Sequence, residues 1–265
     1  MNETFLRFPG FRFRALTLNY DDGTVFDRQL IEIMTKHGIR GTFNLNSGLF
    51  GTGRRMTKED ALALYEPNGM EVYCHGLKHI HPVDVPPLQA TEEFLEDRKN
   101  MEAIFGHIVN GIAYAYGQFD ETVDQIVKNM GFKVARITGQ TEAFGITKDW
   151  LHLQVTCRHR NPKLFELADK FLKDPAKDAK SPLRPRWFQL FGHSYEFNDD
   201  DNWDIIREFC EKVGDREDIW YCTTGEMYRY AEAFRALEYS ADLKRIENHS
   251  DRDLYLCIDN ENILV

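Results

Sequence analysis

The feature that most constrains the fold is an alternation, from residue 15 to about residue 236, of short apolar runs with longer amphipathic runs. Short apolar runs are typical of strands buried on both faces, and amphipathic runs are typical of the helices that cover them. The pattern predicts repeated β-α units around a mainly parallel sheet. The predicted strands are residues 15–20, 42–45, 71–74, 111–116, 133–137, 187–191 and 218–222. The predicted helices lie near residues 25–37, 58–65, 91–105, 121–130, 162–172, 203–213 and 225–236.

The length of 265 residues suits one α/β barrel or one doubly wound domain. Residues 237–265 break the alternation and end in two β-like runs, 254–258 and 262–265, on either side of a turn at 259–261. The sequence therefore predicts a main domain at 1–236 and a C-terminal β-hairpin appendage at 237–265.

Composition excludes several classes of function. The formal net charge of -10 argues against a nucleic-acid partner, because binding to a polyanion needs clustered Lys and Arg. Arginines interrupt the apolar residues near the N-terminus, and no run of about 18 apolar residues occurs anywhere, so neither a signal peptide nor a membrane partner is expected. The five cysteines are an odd number without Cys-x-x-Cys spacing, which favours reduced thiols and a cytoplasmic location.

Polar motifs follow four of the predicted strands. They are Asp21-Asp22-Gly23, His75 with His79 four residues later, Tyr116-Gly117, and Gly192-His193. In parallel α/β architectures ligands collect at the carboxyl ends of the strands, so we expect these loops to converge on one mouth. We also expect Gly192 to leave space there for a substrate.

Each motif alone has an ordinary structural interpretation. Asp-Asp-Gly is a common turn sequence, and a single histidine at a strand end is often structural. The His-x-x-x-His spacing can bring two imidazoles to one metal ion, but it also occurs by coincidence. His81 is interpreted as a neighbour of this pair and not as a ligand.

Taken together, the motifs resemble those of the polysaccharide deacetylase family, also called the NodB-homology or carbohydrate esterase family 4 fold. The stretch 18–23, Leu-Asn-Tyr-Asp-Asp-Gly, is similar to the family's first motif, which makes Asp21 the candidate base and Asp22 a candidate metal ligand. His75 and His79 match the second motif, with Gly76 in place of a hydroxyl residue. His193 matches the late Leu-x-His motif with one extra residue.

The chain departs from two other family motifs. The stretch 113–117, Ala-Tyr-Ala-Tyr-Gly, lacks the arginine and the proline of the third motif. That arginine orients the catalytic aspartate in the family, and we hypothesise that Arg136 fills its place; the alternative is a surface-capping arginine. Asp149-Trp150 has the composition of the fourth motif, and Trp150 is interpreted either as a pocket residue or as core. The stretch 192–197, Gly-His-Ser-Tyr-Glu-Phe, is similar to a divergent branch of the family.

The resemblance implies a distorted (β/α) barrel of about seven strands, with a catalytic domain at 1–236. It implies a divalent metal ion, with zinc as the expected ion, held by Asp22, His75 and His79. The expected activity removes an acetyl group from an N- or O-acetylated carbohydrate, with Asp21, His193 and Arg136 as catalytic residues and Tyr116, Trp150 and Tyr195 as substrate-binding residues. The alternatives are a C–N hydrolase acting on a non-sugar amide or ureide, and a catalytically silent carbohydrate-binding relative. The oligomeric state is not predicted.

Overall fold

The computed structural model describes residues 4–173 and 184–265 and contains one large sheet that curls into a ring. In chain order, the first nine strands are β1 (Thr4–Arg7), β2 (Arg14–Asp21), β3 (Gly41–Leu45), β4 (Glu71–Cys74), β5 (Gly111–Ala113), β6 (Val134–Gln140), β7 (Leu153–Val155), β8 (Cys157–Arg158) and β9 (Arg186–His193). Strands β2 to β9 pair in parallel, in the order β7-β6-β5-β4-β3-β2-β9-β8.

The ring closes because β7 and β8 are two parts of one extended stretch, separated only by Thr156. β7 pairs with β6, and β8 pairs with β9. The Thr156 N–H donates to the Gln189 carbonyl oxygen at 3.0 Å, which joins the two ends of the sheet. Counting β7 and β8 as one, seven strands form the ring, and the prediction of a distorted α/β barrel of about seven strands is confirmed. Strand β10 (Ile219–Tyr221) pairs with the start of β2, outside the ring.

Strand β2 shows why the barrel has a polar interior below its mouth. Its side chains alternate between two faces, so Thr17, Asn19 and Asp21 share one face, while the apolar side chains Leu16, Leu18 and Tyr20 share the other. On the inner face, the Asn44 amide donates to Asn19 Oδ1 at 2.6 Å and to Asp21 Oδ1 at 2.7 Å. These bonds satisfy polar groups that would otherwise be unpaired in the core.

Helices cover the outside of the ring. They are α1 (Asp27–Lys36), α2 (Lys58–Leu64), α3 (Pro87–Phe105), α4 (Glu121–Asn129), α5 (Leu164–Leu172), α6 (Ser194–Asp199), α7 (Asp204–Val213) and α8 (Thr224–Arg235). Short 3-10 turns lie at Ser47–Leu49, Glu66–Asn68 and Ala115–Gly117. No helix among the described residues is long and apolar enough to cross a membrane.

The seven predicted strands are all present, and the observed strands differ from the prediction in three ways. β5 stops at Ala113 because the chain turns there, and Tyr116 adopts the left-handed region with φ 58°. β6 continues to Gln140, beyond the apolar run that predicted it. β1, β7 and β8 were not predicted, because each has at most four residues and too little alternation to give a pattern.

The C-terminal segment contains the predicted hairpin. A two-residue ladder joins β11 (Glu238–Tyr239) to β12 (Ile246–Glu247), and the hairpin follows as β13 (Tyr255–Ile258) and β14 (Glu261–Leu264). β13 also pairs antiparallel with β1, so the two ends of the chain share a three-stranded sheet. Leu254 and Leu256 of this segment belong to the main hydrophobic core. All five cysteines are buried, and none of them forms a disulfide.

Candidate active site

Two adjacent carboxylates lie at the carboxyl end of β2. Asp21 is the last residue of β2 and pairs in register with His193, the last residue of β9. Asp22 follows with φ 83° and Gly23 with φ 61°, so the chain turns sharply at once. Aspartate tolerates the left-handed region better than most residues, and this turn lets both carboxylates face the mouth of the barrel.

The two histidines after β4 meet at the same place. His75 Nε2 and His79 Nε2 are 3.1 Å apart, and Asp22 Oδ1 lies 3.9 Å from the first and 3.8 Å from the second. His75 Nδ1 lies 2.9 Å from the Ala113 carbonyl oxygen; its N–H donates there, which leaves the lone pair of Nε2 directed at the group. Burial and the neighbouring His75 lower the pKa of His79 to about 4, so its imidazole is neutral at neutral pH.

This group fits a divalent metal ion. The ligand atoms of Asp22, His75 and His79 all lie within 4.8 Å of one another. Two imidazole nitrogens and one carboxylate oxygen form a donor set that zinc prefers, and three protein ligands are typical of catalytic sites, which keep a position open. His81 lies outside the group, with its ring stacked on Tyr116 at a centroid distance of 3.7 Å.

Helix α3 holds the loop that carries the histidines. The carboxylate of Asp97, fully buried, accepts hydrogen bonds from the backbone N–H groups of Ser47 at 2.9 Å, His75 at 3.1 Å and Gly76 at 2.9 Å. One helical turn earlier, Glu93 Oε1 accepts from the Lys78 N–H at 2.7 Å. Burial raises the pKa of Asp97 to about 6, although these hydrogen bonds oppose the shift.

Arg136 lies beside Asp21, as hypothesised from the sequence. Its Nη2 donates to both carboxylate oxygens of Asp21, and both side chains are almost fully buried. Burial by itself would raise the pKa of Asp21, but Arg136, followed by His75 and His193, holds this pKa well below its usual range. The arginine therefore keeps Asp21 ionised.

His193 faces the two carboxylates from the opposite side. Its Nε2 lies 4.0 Å from Asp21 Oδ2 and 4.0 Å from Asp22 Oδ2. On the other edge of the ring, Nδ1 lies 3.4 Å from Glu196 Oε2, because α6 begins directly after His193 and brings residue 196 back in a capping box. Glu196 also lies 3.1 Å from His159 Nε2 and accepts a hydrogen bond from Arg158.

Glu196 is held as an ion in this surrounding. Burial would raise its pKa, but its interactions with His159, His193 and Arg158 hold this pKa well below its usual range. Glu196 belongs to the sequence stretch 192–197, but the sequence alone did not predict a role for it. The signal that could have identified it is the spacing of three residues from His193 at a predicted strand end.

Two of the three aromatic residues proposed to bind substrate lie at the mouth. Tyr116 is 50% exposed, with its ring 4.5 Å from the ring of His79, and the Tyr195 ring lies 5.1 Å from that of His193. Trp150 is elsewhere: it is 6% exposed, packs on Trp187 at the opposite end of β9, and donates from Nε1 to Glu232 at 2.9 Å. The structure therefore places Trp150 in the core.

Gly192 was expected to leave space for a substrate, but in the structure it makes room for another side chain. A Cβ added there would lie 2.0 Å from His159 Nδ1, so the space beside the glycine is filled by an imidazole and not left for a substrate. Glycine at this position lets His159 approach Glu196, which in turn contacts His193.

A further charged residue at the mouth was not identified from the sequence. Arg55, on the loop before α2, places Nη2 3.0 Å from Asp22 Oδ1. Like Asp97 and Glu93, it lies far in sequence from the motifs, and no spacing pattern connects it to them.

Comparisons with known proteins agree with this fold. A family model described as polysaccharide deacetylase matches residues 10–135, the segment that contains Asp21, Asp22, His75 and His79. No curated protein matches the sequence significantly.

Several solved structures have a similar fold. One from Mycobacterium smegmatis, provisionally described as a polysaccharide deacetylase, has a TM-score of 0.65 at 15% identity, over 87% of this chain and 94% of that chain. The peptidoglycan deacetylase PdaC from Bacillus subtilis has a TM-score of 0.53 at 14% identity, over 84% of this chain and 94% of that chain. The deacetylase PplD from Streptococcus pyogenes has a TM-score of 0.48 at 20% identity, over 51% of this chain, and the match spans only 61% of PplD. Residues 10–135, slightly less than half of this chain, therefore resemble the polysaccharide deacetylase family, and the structure from Mycobacterium smegmatis shares the fold.

Proposed function

We propose that the chain is a metal-dependent hydrolase that removes an acetyl group from an N- or O-acetylated carbohydrate. The observation that carries the proposal is the convergence of five side chains from three loops on one mouth, with nitrogen and carboxylate oxygen atoms 3.1–4.0 Å apart. The five are Asp21, Asp22, His75, His79 and His193. The match of residues 10–135 to the polysaccharide deacetylase family model supports the same activity.

Asp22, His75 and His79 are the proposed ligands of the divalent ion, for which zinc is the first candidate. When bound, the ion would supply Lewis acidity, which polarises the acetyl carbonyl and lowers the pKa of a water molecule toward neutrality. The protein contributes a rigid donor set, because Asp97 fixes the backbone at His75 and the Ala113 carbonyl fixes its ring.

Asp21 is the proposed general base. It lies next to the proposed ligands but is held by Arg136, so its carboxylate stays ionised and can accept a proton from the attacking water. Its other hydrogen bond, from Asn44 at 2.7 Å, fixes the plane of the carboxylate. The base is therefore positioned before the substrate arrives.

His193 is the proposed general acid. Glu196 lies beside Nδ1 and orients the ring, while Nε2 points toward the carboxylates and is placed to protonate the departing amine or alkoxide. The base must be ionised and the acid protonated at the start of the reaction, so the rate is expected to have a bell-shaped dependence on pH.

The rim of the mouth offers groups for the sugar and for the developing oxyanion. Tyr116 and Tyr195 present aromatic rings beside His79 and His193, and aromatic faces bind the apolar faces of sugars. The backbone N–H of Tyr116, on the turn after β5, is the proposed donor to the oxyanion.

The experiment measures acetate release from a panel of N- and O-acetylated sugars, ring opening of small cyclic amides and ureides, and the metal content of the protein. We expect release from acetylated sugars that stops on treatment with a chelator and returns on addition of zinc. Asp21→Asn should lower kcat by about 10²–10⁴-fold, whereas Asp204→Asn, on the exposed surface of α7, should not change it. Turnover of the cyclic amides alone would contradict the sugar assignment, and full activity without metal would contradict the mechanism.

A further inference from the structure

Arg55 lies in a loop that is fixed against the turn after Asp22. The Met56 N–H donates to the Gly23 carbonyl oxygen at 2.9 Å, and the Val25 N–H donates to the Arg54 carbonyl oxygen at 2.9 Å. Arg55 itself forms an antiparallel bridge with Thr24. The backbone at Arg55 is therefore held in register with the residues that directly follow a proposed metal ligand.

The guanidinium contacts the oxygen that faces the two histidines. Arg55 Nη2 lies 3.0 Å from Asp22 Oδ1, the same atom that lies 3.9 Å from His75 Nε2 and 3.8 Å from His79 Nε2. The Arg55 side chain is 21% exposed and that of Asp22 is 8% exposed, so water screens this pair only partly. Within the described part of the chain, Arg55 Nε is buried and has no hydrogen-bond partner.

The two carboxylates of the mouth are thus each paired with an arginine, Asp21 with Arg136 and Asp22 with Arg55. Their negative charges are balanced before any metal ion binds. A divalent cation beside Asp22 would therefore lie close to a fixed positive charge that repels it. The same excess of positive charge would attract the negative oxygen that develops on the acyl group during hydrolysis.

We propose that Arg55 is a positioning residue of the active centre, which acts through Asp22 to weaken the binding of the divalent ion and to leave the centre with excess positive charge. This inference rests on the proposed function, because it takes Asp22, His75 and His79 as the metal ligands. Arg55 lies outside the sequence motifs, and its proposed role is to set how tightly the three ligands bind the divalent ion.

The test measures zinc affinity by competition with a chromophoric chelator, for wild type and three variants. Arg55→Gln removes the charge and should bind zinc about tenfold more tightly, or more. Arg55→Lys keeps the charge and should remain within about threefold of wild type. The matched control is Arg54→Gln, because Arg54 is the neighbouring residue but pairs with Asp199 at 2.6 Å and is 55% exposed; its affinity should not change.

The rise in Tm on addition of zinc gives a second measurement, and it should be larger for Arg55→Gln than for wild type. If Arg55→Gln does not fold, Arg55→Met, which keeps an unbranched stem, replaces it. Equal or weaker zinc binding by the uncharged variant would overturn the inference, as would tight binding by Arg55→Lys. Zinc binding by none of the proteins would overturn both this inference and the proposed metal site, whereas loss of acetate release alone, with the tenfold ratio intact, would count only against the proposed substrate.

Discussion

The ionisation of Asp21 depends on a cation that lies 115 residues further along the chain. The carboxyl group is almost fully buried, and burial alone would favour its neutral form. Arg136 reverses this preference with help from His75 and His193. The guanidinium of Arg136, on β6, reaches Asp21, at the end of β2, across the interior of the barrel.

Replacement of Arg136 should therefore change the pH dependence of the proposed reaction. In Arg136→Gln, Asp21 stays buried but loses its main cationic partner, so its pKa rises. A base works only when ionised, and its ionised fraction falls as the pH falls through its pKa, so the acid side of the rate profile should move to higher pH. The kcat at neutral pH should fall by about tenfold or more. Arg207→Gln, on the exposed surface of α7, is the control, and an unchanged acid side in Arg136→Gln would contradict the assignment.

Glu196 should contribute stability that depends on pH. Because its pKa is held below the usual value of about 4.3, its ionised form stabilises the folded state fully above that pH, and this contribution is lost as the pH falls below it. Glu196→Gln should lower Tm at pH 7, and the difference in Tm from wild type should shrink as the pH falls from 5 toward 3. Thermal unfolding of both proteins across this range measures the effect. A difference that does not vary with pH would show that packing, and not charge, is lost.

At the scale of elements, the strands that the sequence predicted are those with continuous apolar runs. β2 and β9 are buried along almost their whole length, which gives the run its clear signal. β7 and β8, which close the ring, have only three and two residues. Strands this short form because neighbouring strands pair with them, and their own sequence is too short to show a hydrophobic pattern. The turn after β5 was predicted as strand because Tyr114 and Tyr116 continue the apolar alternation there.

The residues of the candidate site also divide into those that the sequence pattern could predict and those that it could not. The motif residues Asp21, Asp22, His75, His79 and His193 could be predicted to meet, because parallel strands bring their carboxyl ends to one edge. Arg55 and Asp97 could not, since a loop and a helix face reach the site only through the folded arrangement. Their contacts are with a carboxylate and with backbone N–H groups, which leave no spacing signature in the sequence.

Helix α3 supports the loop that carries His75 and His79 through the carboxylate of Asp97. Asp97 binds the backbone at the start of the histidine loop, so Asp97→Asn, which offers one acceptor oxygen in place of two, should loosen His75. The expected result is a 10–100-fold loss of zinc affinity, typical of groups that orient metal ligands. The matched control is Glu96→Gln on the solvent side of the same helix, where Glu96 pairs with Lys99. Unchanged affinity in Asp97→Asn would mean that the loop keeps its geometry without the carboxylate.

At the scale of the whole molecule, the barrel and the C-terminal segment share contacts. β13 pairs with β1 along four residues, and the Tyr230 hydroxyl on α8 donates to the Arg7 carbonyl oxygen at 2.7 Å and accepts from the Tyr255 N–H at 3.0 Å. Leu256 is fully buried in the core that also contains residues of the ring. The boundary that the sequence predicts at residue 236 therefore marks a change in the hydrophobic pattern. The side chains on its two sides still pack together in one core.

This continuity can be tested with one substitution in the segment. Leu256→Ala removes buried methyl groups and should lower the free energy of unfolding by about 2–5 kcal/mol. If the segment and the barrel unfold together, the variant should show one cooperative transition at a lower Tm. Ile263→Ala, on β14 and 37% exposed, is the control and should have a much smaller effect. An early, separate transition with the main one unchanged would instead show that residues 237–265 form an independent appendage, because a local cavity then destabilises only the unit that contains it.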